Sequence, residues 1–275
     1  MRGFKALNTD MFSKYGDMTY ELGIKYTITG DLIPCENGYH FCKNLEDIEG
    51  YYTISDSRIF EVEAEGQMIE DDDKICAESI TLIRELSKEE IRRYFKNNQE
   101  QILAKNWCCR KALAGQGLYL DILINDKDWR VRTAVAKQSY GLDILINDED
   151  GRVRETVAKQ GYGLDILVHD EDWYVRVAVA EQGYGLDILI NDEDCPVRKA
   201  VAEQGYELNI LINDKSWLVR KTVADQGYGL DILINDEDND VRATVAEQGY
   251  GLDRLIHDKS CYVRAAAKEM METLR

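Results

Sequence analysis

At 275 residues, with 34 basic and 52 acidic side chains and a net charge of −18, the chain has room for one or two domains and offers no basic face to a nucleic-acid backbone. The deficit is shared: residues 1–97 carry 12 basic and 20 acidic groups, net −8, and residues 98–275 carry 22 and 32, net −10. Residues 1–14 hold no apolar leader core, no run is long enough to span a bilayer, and seven cysteines, an odd number, read as reduced thiols, so a cytoplasmic protein is expected.

Residues 1–86 do not repeat and read as a small α+β domain. Residues 23–30 and 58–65 alternate apolar and polar side chains with period two, as half-buried strands do, and residues 80–85 are a third candidate. The acidic run Glu70, Asp71, Asp72, Asp73 lacks the alternating oxygens and turn glycine of a calcium loop and reads as a solvated turn. Ser87 and Glu90 form a capping box that opens a helix through Ile91, Tyr94 and Phe95. The expected organisation is a domain over 1–86, a linking helix over 87–97 and an α-solenoid over 98–275.

That last stretch is one 22-residue phrase written seven times, beginning at Leu120, Leu142, Leu164, Leu186, Leu208, Leu230 and Leu252. A worn copy precedes them, with Trp107, Arg110, Ala114 and Gln116 one period before Trp129, Arg132, Ala136 and Gln138. Such a period means stacked units sharing one core, since no unit buries its apolar face alone. Leu120, Leu123 and Ile124 share one face of a short helical turn. The column at 128, 150, 172, 194, 216, 238 and 260 holds only Asp or Ser, both helix N-caps, so a second helix starts there in every unit. Val131, Val135 and Ala136 face inward along it. Gly161, Gly183, Gly205, Gly227 and Gly249 end it.

The Asp-x-x-Val-Arg-x-x-Val-Ala phrase resembles the leucine-rich variant repeat, a relative of HEAT-type repeats, although those units are usually slightly longer. The resemblance covers about 98–275. It implies a right-handed stack of short helix pairs and no enzymatic activity. The first part resembles an uncharacterised domain common at the N-termini of phage and prophage proteins. It does so through Phe4-Lys-Ala6, Tyr20-Glu-x-Gly-x-Lys-Tyr26, Cys35-x-x-Gly-Tyr-His-x-Cys42, Tyr51-Tyr52, Ser57-Arg58 and Glu61-Val-Glu-x-x-Gly66. That resemblance covers nearly all of 1–86 and implies a mobile-element protein with an interchangeable C-terminal module.

Three constellations in residues 1–86 bear on chemistry. Cys35, His40, Cys42 and Cys76 are the right ligand types for a Cys₃His zinc site, but the spacing is not a standard knuckle, and buried thiols beside a hydrogen-bonded histidine fit as well. The Gly-x-His-Phe segment, the Tyr51-Tyr52 pair and a later glutamate loosely resemble the His-Tyr-Glu layout of ADP-ribosyltransferases. That resemblance implies NAD gripped by His40 and Tyr51 or Tyr52, with Glu61 or Glu63 orienting the nucleophile. No glycine-rich phosphate loop accompanies it. The third is the acidic run, already read as a turn.

In the repeats, the unbroken arginine column (Arg110 to Arg264) and the aspartate column (Asp126 to Asp258) read as bidentate ladders fixing one unit on the next. The tyrosine column from Tyr140 to Tyr250 reads as structural too, and His169 and His257 as polar helix-end residues. Function is sought where units differ. The two positions after the N-cap vary most, and all four tryptophans fall in the first of them. Either each large ring fills the gap left by a small neighbour, or Trp107, Trp129, Arg130, Trp173, Tyr174, Trp217, Leu218 and Tyr262 are spaced anchors for a partner. Alternate tryptophans about 20 Å apart suit an extended peptide or a protein surface, and the charge favours a basic one. The reading is a protein-binding scaffold, with an NAD-using enzyme and an acidic nucleic-acid mimic as alternatives of other classes.

Overall fold

The computed structural model describes residues 1–13, 18–34, 36–71 and 73–274. The chain divides into two compact units, Met1–Gly141 and Leu142–Arg275.

In the first unit, five antiparallel strands form the sheet: β1 (Arg2–Leu7), β2 (Lys25–Thr27), β3 (Tyr39–Cys42), β4 (Arg58–Asp71) and β5 (Lys74–Glu85). The two predicted strands around 58–65 and 80–85 are the arms of one long hairpin. Of the acidic run, Glu70 and Asp71 end β4, paired with Ile75 and Lys74 of β5, so that half is strand and not a turn, and Asp72 lies outside the described residues. Of residues 23–30, Lys25–Thr27 form the strand, paired with β5, and the Gly23 and Ile28 amides also donate to it. The pairings run β4–β5–β3–β1 and back to β4, closing the sheet on itself. The closure is uneven. β1 meets β4 over six residue pairs, but β1 meets β3 only at Phe4 and Cys42. Leu7, Phe41, Phe60, Val62, Ile75 and Leu82 fill the interior.

A capping box at Ser87 and Glu90 opens α1 (Lys88–Leu103), which runs six residues beyond 97. Phe95 and Ile102 on its inner face are fully buried. The worn copy supplies α2 (Trp107–Gly115), and the first full repeat supplies α3 (Leu120–Leu123) and α4 (Trp129–Lys137). Lys105, between α1 and α2, bonds the buried carboxylates of Glu46 (2.7 Å) and Asp47 (3.1 Å) in the 3₁₀ turn Leu45–Gly50. Lys111 bonds Glu49 at 2.9 Å, so two lysines fasten α2 to the sheet domain.

The second unit contains six repeats, each a four-residue helix followed by a longer one, from α5 (Leu142–Leu145) and α6 (Gly151–Lys159) to α15 (Leu252–Leu255) and α16 (Cys261–Thr273). Between them lie α7 (Leu164–Leu167), α8 (Trp173–Glu181), α9 (Leu186–Leu189), α10 (Cys195–Glu203), α11 (Leu208–Leu211), α12 (Trp217–Asp225), α13 (Leu230–Leu233) and α14 (Asn239–Glu247). Valines of the longer helices, such as Val153, Val157, Val175 and Val179, are wholly buried. All longer helices start directly after the Asp/Ser column, as expected, but the capping bond is not universal. Asp150 and Asp238 accept from backbone amides, whereas Asp172 and Asp194 do not and turn to Arg154 (3.1 Å) and Arg176 (3.0 Å). Ser216 and Ser260 cap through backbone position alone.

The arginine ladder is a three-way clamp. Arg154, Arg176, Arg198, Arg220 and Arg242 each grip the aspartate sixteen residues later, Nε to Oδ2 at 2.6–2.8 Å and Nη2 to Oδ1 at 2.9–3.0 Å. Nη1 donates to the backbone carbonyl of the aspartate six residues earlier. One guanidinium thus ties its own repeat to the next. Arg110 grips Asp126 in the same way in the first unit.

Candidate functional site

The repeat register explains what the two variable positions do. The first helical residue of one repeat lies beside the second helical residue of the following repeat, 23 positions on. In the first unit this places the Arg130 guanidinium 3.7 Å from the centre of the Trp107 ring, and it lies 5.5 Å from that of Trp129. Arg130 also pairs with Asp128 at 3.0 Å. Trp107 and Trp129 are half-buried under this cation, which stabilises both rings through their quadrupoles.

In the second unit the same register pairs Gly151 with Tyr174. A methyl group built on Gly151 would come 2.6 Å from the Tyr174 hydroxyl and would collide with the Asp172 carboxylate. The ring that fills a small neighbour's gap is therefore Tyr174, and its hydroxyl is pushed up in pKa by burial and by a hydrogen bond to Asp172. Trp173 packs edge-on to Tyr174 at 5.8 Å but keeps 44% of its surface exposed. Its partner in register is Pro196. Trp217 has Asp240 as its partner and stays 42% exposed.

Trp217, Leu218, Lys221, Asp240, Thr244, Glu247 and Tyr262 line one groove of about 260 Å³, spanning three successive longer helices. The Thr244 hydroxyl on its floor is buried and has no hydrogen-bond partner among the described residues. Thr156 and Thr222, in other repeats, donate to the carbonyl four residues back. The groove therefore joins an open indole face, two carboxylates and an unsatisfied hydroxyl.

A second exposed column runs through the repeats, where no variation in the sequence marks it. Ile144, Ile166, Ile188, Ile210 and Ile232, third in each four-residue helix, are 44–59% exposed, each next to an exposed Asp or Asn. The tyrosine column read as structural is exposed too, Tyr162, Tyr184, Tyr228 and Tyr250 each at 41–43%. Repetition hid both, because a residue present in every unit reads as core. His169 and His257 are exposed just past the ends of short helices.

In the sheet domain, His40, Tyr51 and Tyr52 line one cavity of about 580 Å³, together with Lys5 and Lys74. Glu61 and Glu63 are not among its lining. Glu61 is held by Arg84 (2.6 and 3.0 Å) and Glu63 lies 3.6 Å from Arg2. The Tyr51 hydroxyl donates to Asp73 at 2.6 Å, which with burial raises its pKa. Register sets His40 opposite Cys76, and the pleat puts Cys42 on the same face. Burial, with Lys74 and Lys5 nearby, lowers His40 to about 4, and burial, with Asp47 and Asp73, raises the Cys42 thiol to about 12. Among the described residues no group of three His, Cys, Asp or Glu side chains is arranged for a metal, and Cys35 lies outside them.

The fold and these sites define a chain with a closed β-sheet domain followed by a tandem array of helix pairs. Residues 1–93 match the model of a family described as a domain of unknown function (DUF7666), a match that ends inside α1. A search of the curated proteins finds no match. No described helix is long and apolar enough to cross a membrane.

Proposed function

We propose that the chain is a binding protein whose repeat array captures a partner through its variable edge, and that this edge reads an arginine of the partner. The observation that carries the proposal is the pair Trp107–Arg130 set beside the pair Trp217–Asp240. In the first unit an indole is capped in cis by a guanidinium. In the second, the capping position beside Trp217 holds a carboxylate, and the indole face is left open. A partner guanidinium stacked on Trp217 would meet Asp240 at its edge, completing in trans what Arg130 completes in cis. Trp173, Tyr174, Leu218 and Tyr262 extend the contact as apolar anchors, and the charge of −18 draws a basic partner. The likeness of residues 1–86 to phage N-terminal domains supports a host protein as that partner, in an anti-defence or host-takeover role.

The test uses the full-length protein, an arginine-rich peptide and its lysine twin of equal length and charge, followed by fluorescence anisotropy. The arginine peptide is expected to bind on the order of fivefold tighter, the share of roughly 1 kcal/mol that stacking and bidentate geometry add. Trp217→Ala and Asp240→Asn should erase the preference, and Asp240→Arg should cap the indole in cis and weaken both peptides. Equal binding of the twins, or a preference that survives Trp217→Ala in a folded protein, would overturn the reading.

A further inference from the structure

The sheet closes at the β1–β3 seam through a single residue pair, and what occupies the seam beyond it is a charge. Lys5, directly after Phe4, faces the interior of the closed sheet and is buried. In a continued ladder Ala6 would pair with His40. The strands part instead, and the Lys5 ammonium donates to the His40 carbonyl at 2.8 Å. Its other neighbour is the face of Tyr20, 4.9 Å away. Among the described residues no carboxylate pairs with it.

A buried ammonium with one acceptor and one ring leaves bonding capacity unused, because an ammonium carries three donors. The surroundings are made for a ligand. The cavity of about 580 Å³ opens along this seam. Tyr20, Tyr39, Tyr51 and Tyr52 line it, and Lys74 adds a second cation, 5.3 Å from the Tyr51 ring. Carboxylates stand near the cavity as well. Asp73 accepts from Tyr51, and Glu36 stands exposed at the rim. Even in a protein with this much negative charge, two lysines line this one aromatic-walled cavity. The volume suits a ligand of nucleotide size and is far more than an inorganic ion needs.

We propose that the β1–β3 seam is a binding site for a small phosphate-bearing ligand with a planar aromatic body, its phosphate on Lys5 and Lys74 and its ring among the tyrosines. Tyrosine faces accept a flat heterocycle without reading its identity, and lysine meets phosphate as a point charge. The carboxylates Glu61 and Glu63 lie outside the cavity, so the inference is of binding and not of turnover. It is independent of the arginine-reading edge.

The experiment measures binding of AMP, adenosine and inorganic phosphate to the full-length protein by calorimetry. AMP is expected to bind at least tenfold more tightly than adenosine, because the phosphate–lysine contact is the anchor, and inorganic phosphate more weakly than AMP, because the ring contributes. Lys5→Met keeps the side-chain volume and removes a buried charge, so the variant should fold at least as well as the parent, and its preference for AMP over adenosine should fall several-fold. Lys74→Met, at a less buried position, should weaken AMP several-fold and leave adenosine unchanged. The Trp217→Ala variant should bind AMP as the parent does. The proposal is overturned if AMP binds no better than adenosine, if neither binds, or if AMP affinity is unaltered in both lysine variants.

Discussion

At the scale of single residues, two positions carry a local cost. Each repeat turns through two left-handed positions around its tyrosine, as at Gly161 (φ 72°) and Gly163 (φ 61°), and a methyl on Gly163 would collide with Ile146. In one repeat of the second unit that second position is Glu207, at φ 45°, as it is Tyr119 (φ 55°) in the first unit. A side chain in that region costs about 1–2 kcal/mol, partly offset by the looser unfolded chain a glycine brings. Glu207→Gly is therefore expected to stabilise the protein by roughly 0.5–1 kcal/mol, read from denaturant midpoints at constant m-value. Lys5 is the other. Burial lowers its pKa from 10.5 to about 8, so the unfolded chain binds more protons than the folded one between those values. The penalty is fully present below pH 8 and is relieved as pH rises. Tyr20, Cys42 and His40 around it titrate outside this window in the folded state, Tyr20 raised by burial, Cys42 near 12 and His40 near 4. Between pH 7 and 9.5 the parent should gain roughly 2 kcal/mol relative to Lys5→Met. Parallel stability profiles for the two proteins would show that the ammonium is better solvated than its burial implies.

At the scale of elements, the repeats were legible because period, N-cap column and helix-ending glycines all point to the same helix pair. The arginine ladder was legible as a column and as bidentate bonds from one unit to the next, and the structure has both. What the spacing does not show is the third bond, in which the guanidinium also takes the backbone carbonyl of the aspartate six residues earlier in its own unit. This has an energetic consequence. Arg198 is 4% exposed and Asp214 sits beneath it, so removing one partner leaves an uncompensated buried charge. Arg198→Met is expected to cost about 3–5 kcal/mol, and Arg198→Met/Asp214→Asn less than the sum of the single changes, with the coupling read from a double-mutant cycle. The pH sign follows as well. Burial alone would raise Asp214, but Arg198 and the Ser216 amide hold it below the ordinary carboxylate range. Its stabilisation is complete above that range and is lost as pH falls through the depressed value. Acid should therefore unfold the parent earlier relative to neutral pH than it unfolds the Asp214→Asn variant. The sheet domain was less legible. Its long hairpin showed alternation, but β1 and β3 are short, and their seam depends on pairing between distant segments that no local pattern encodes.

At the scale of the whole molecule, charge and site must be weighed together. The tryptophan column was visible in the sequence because it varies, but composition alone does not say which indoles are capped. That depends on a residue 23 positions away, Arg130 for Trp107 and Asp240 for Trp217. Lys5 stood in the sequence only as part of the Phe4-Lys-Ala6 phrase, and its meaning comes from its burial within β1. The net charge of −18 acts on everything at once, since surface carboxylates repel one another over distances that salt shortens to about 10 Å at 0.1 M. The ladder pairs of the second unit, with arginine side chains only 5–11% exposed, are screened far less. Raising sodium chloride from 10 to about 150 mM should therefore increase the melting temperature, because self-repulsion is relieved while the clamps persist. The same change should weaken the arginine-rich peptide and its lysine twin by similar factors, leaving their affinity ratio nearly constant, because steering is long-ranged and stacking on Trp217 is not. A melting temperature that falls with salt would mean that exposed ion pairs dominate the stability of the array. A ratio that collapses with salt would mean that the peptide preference is electrostatic and that the indole face does not read the guanidinium.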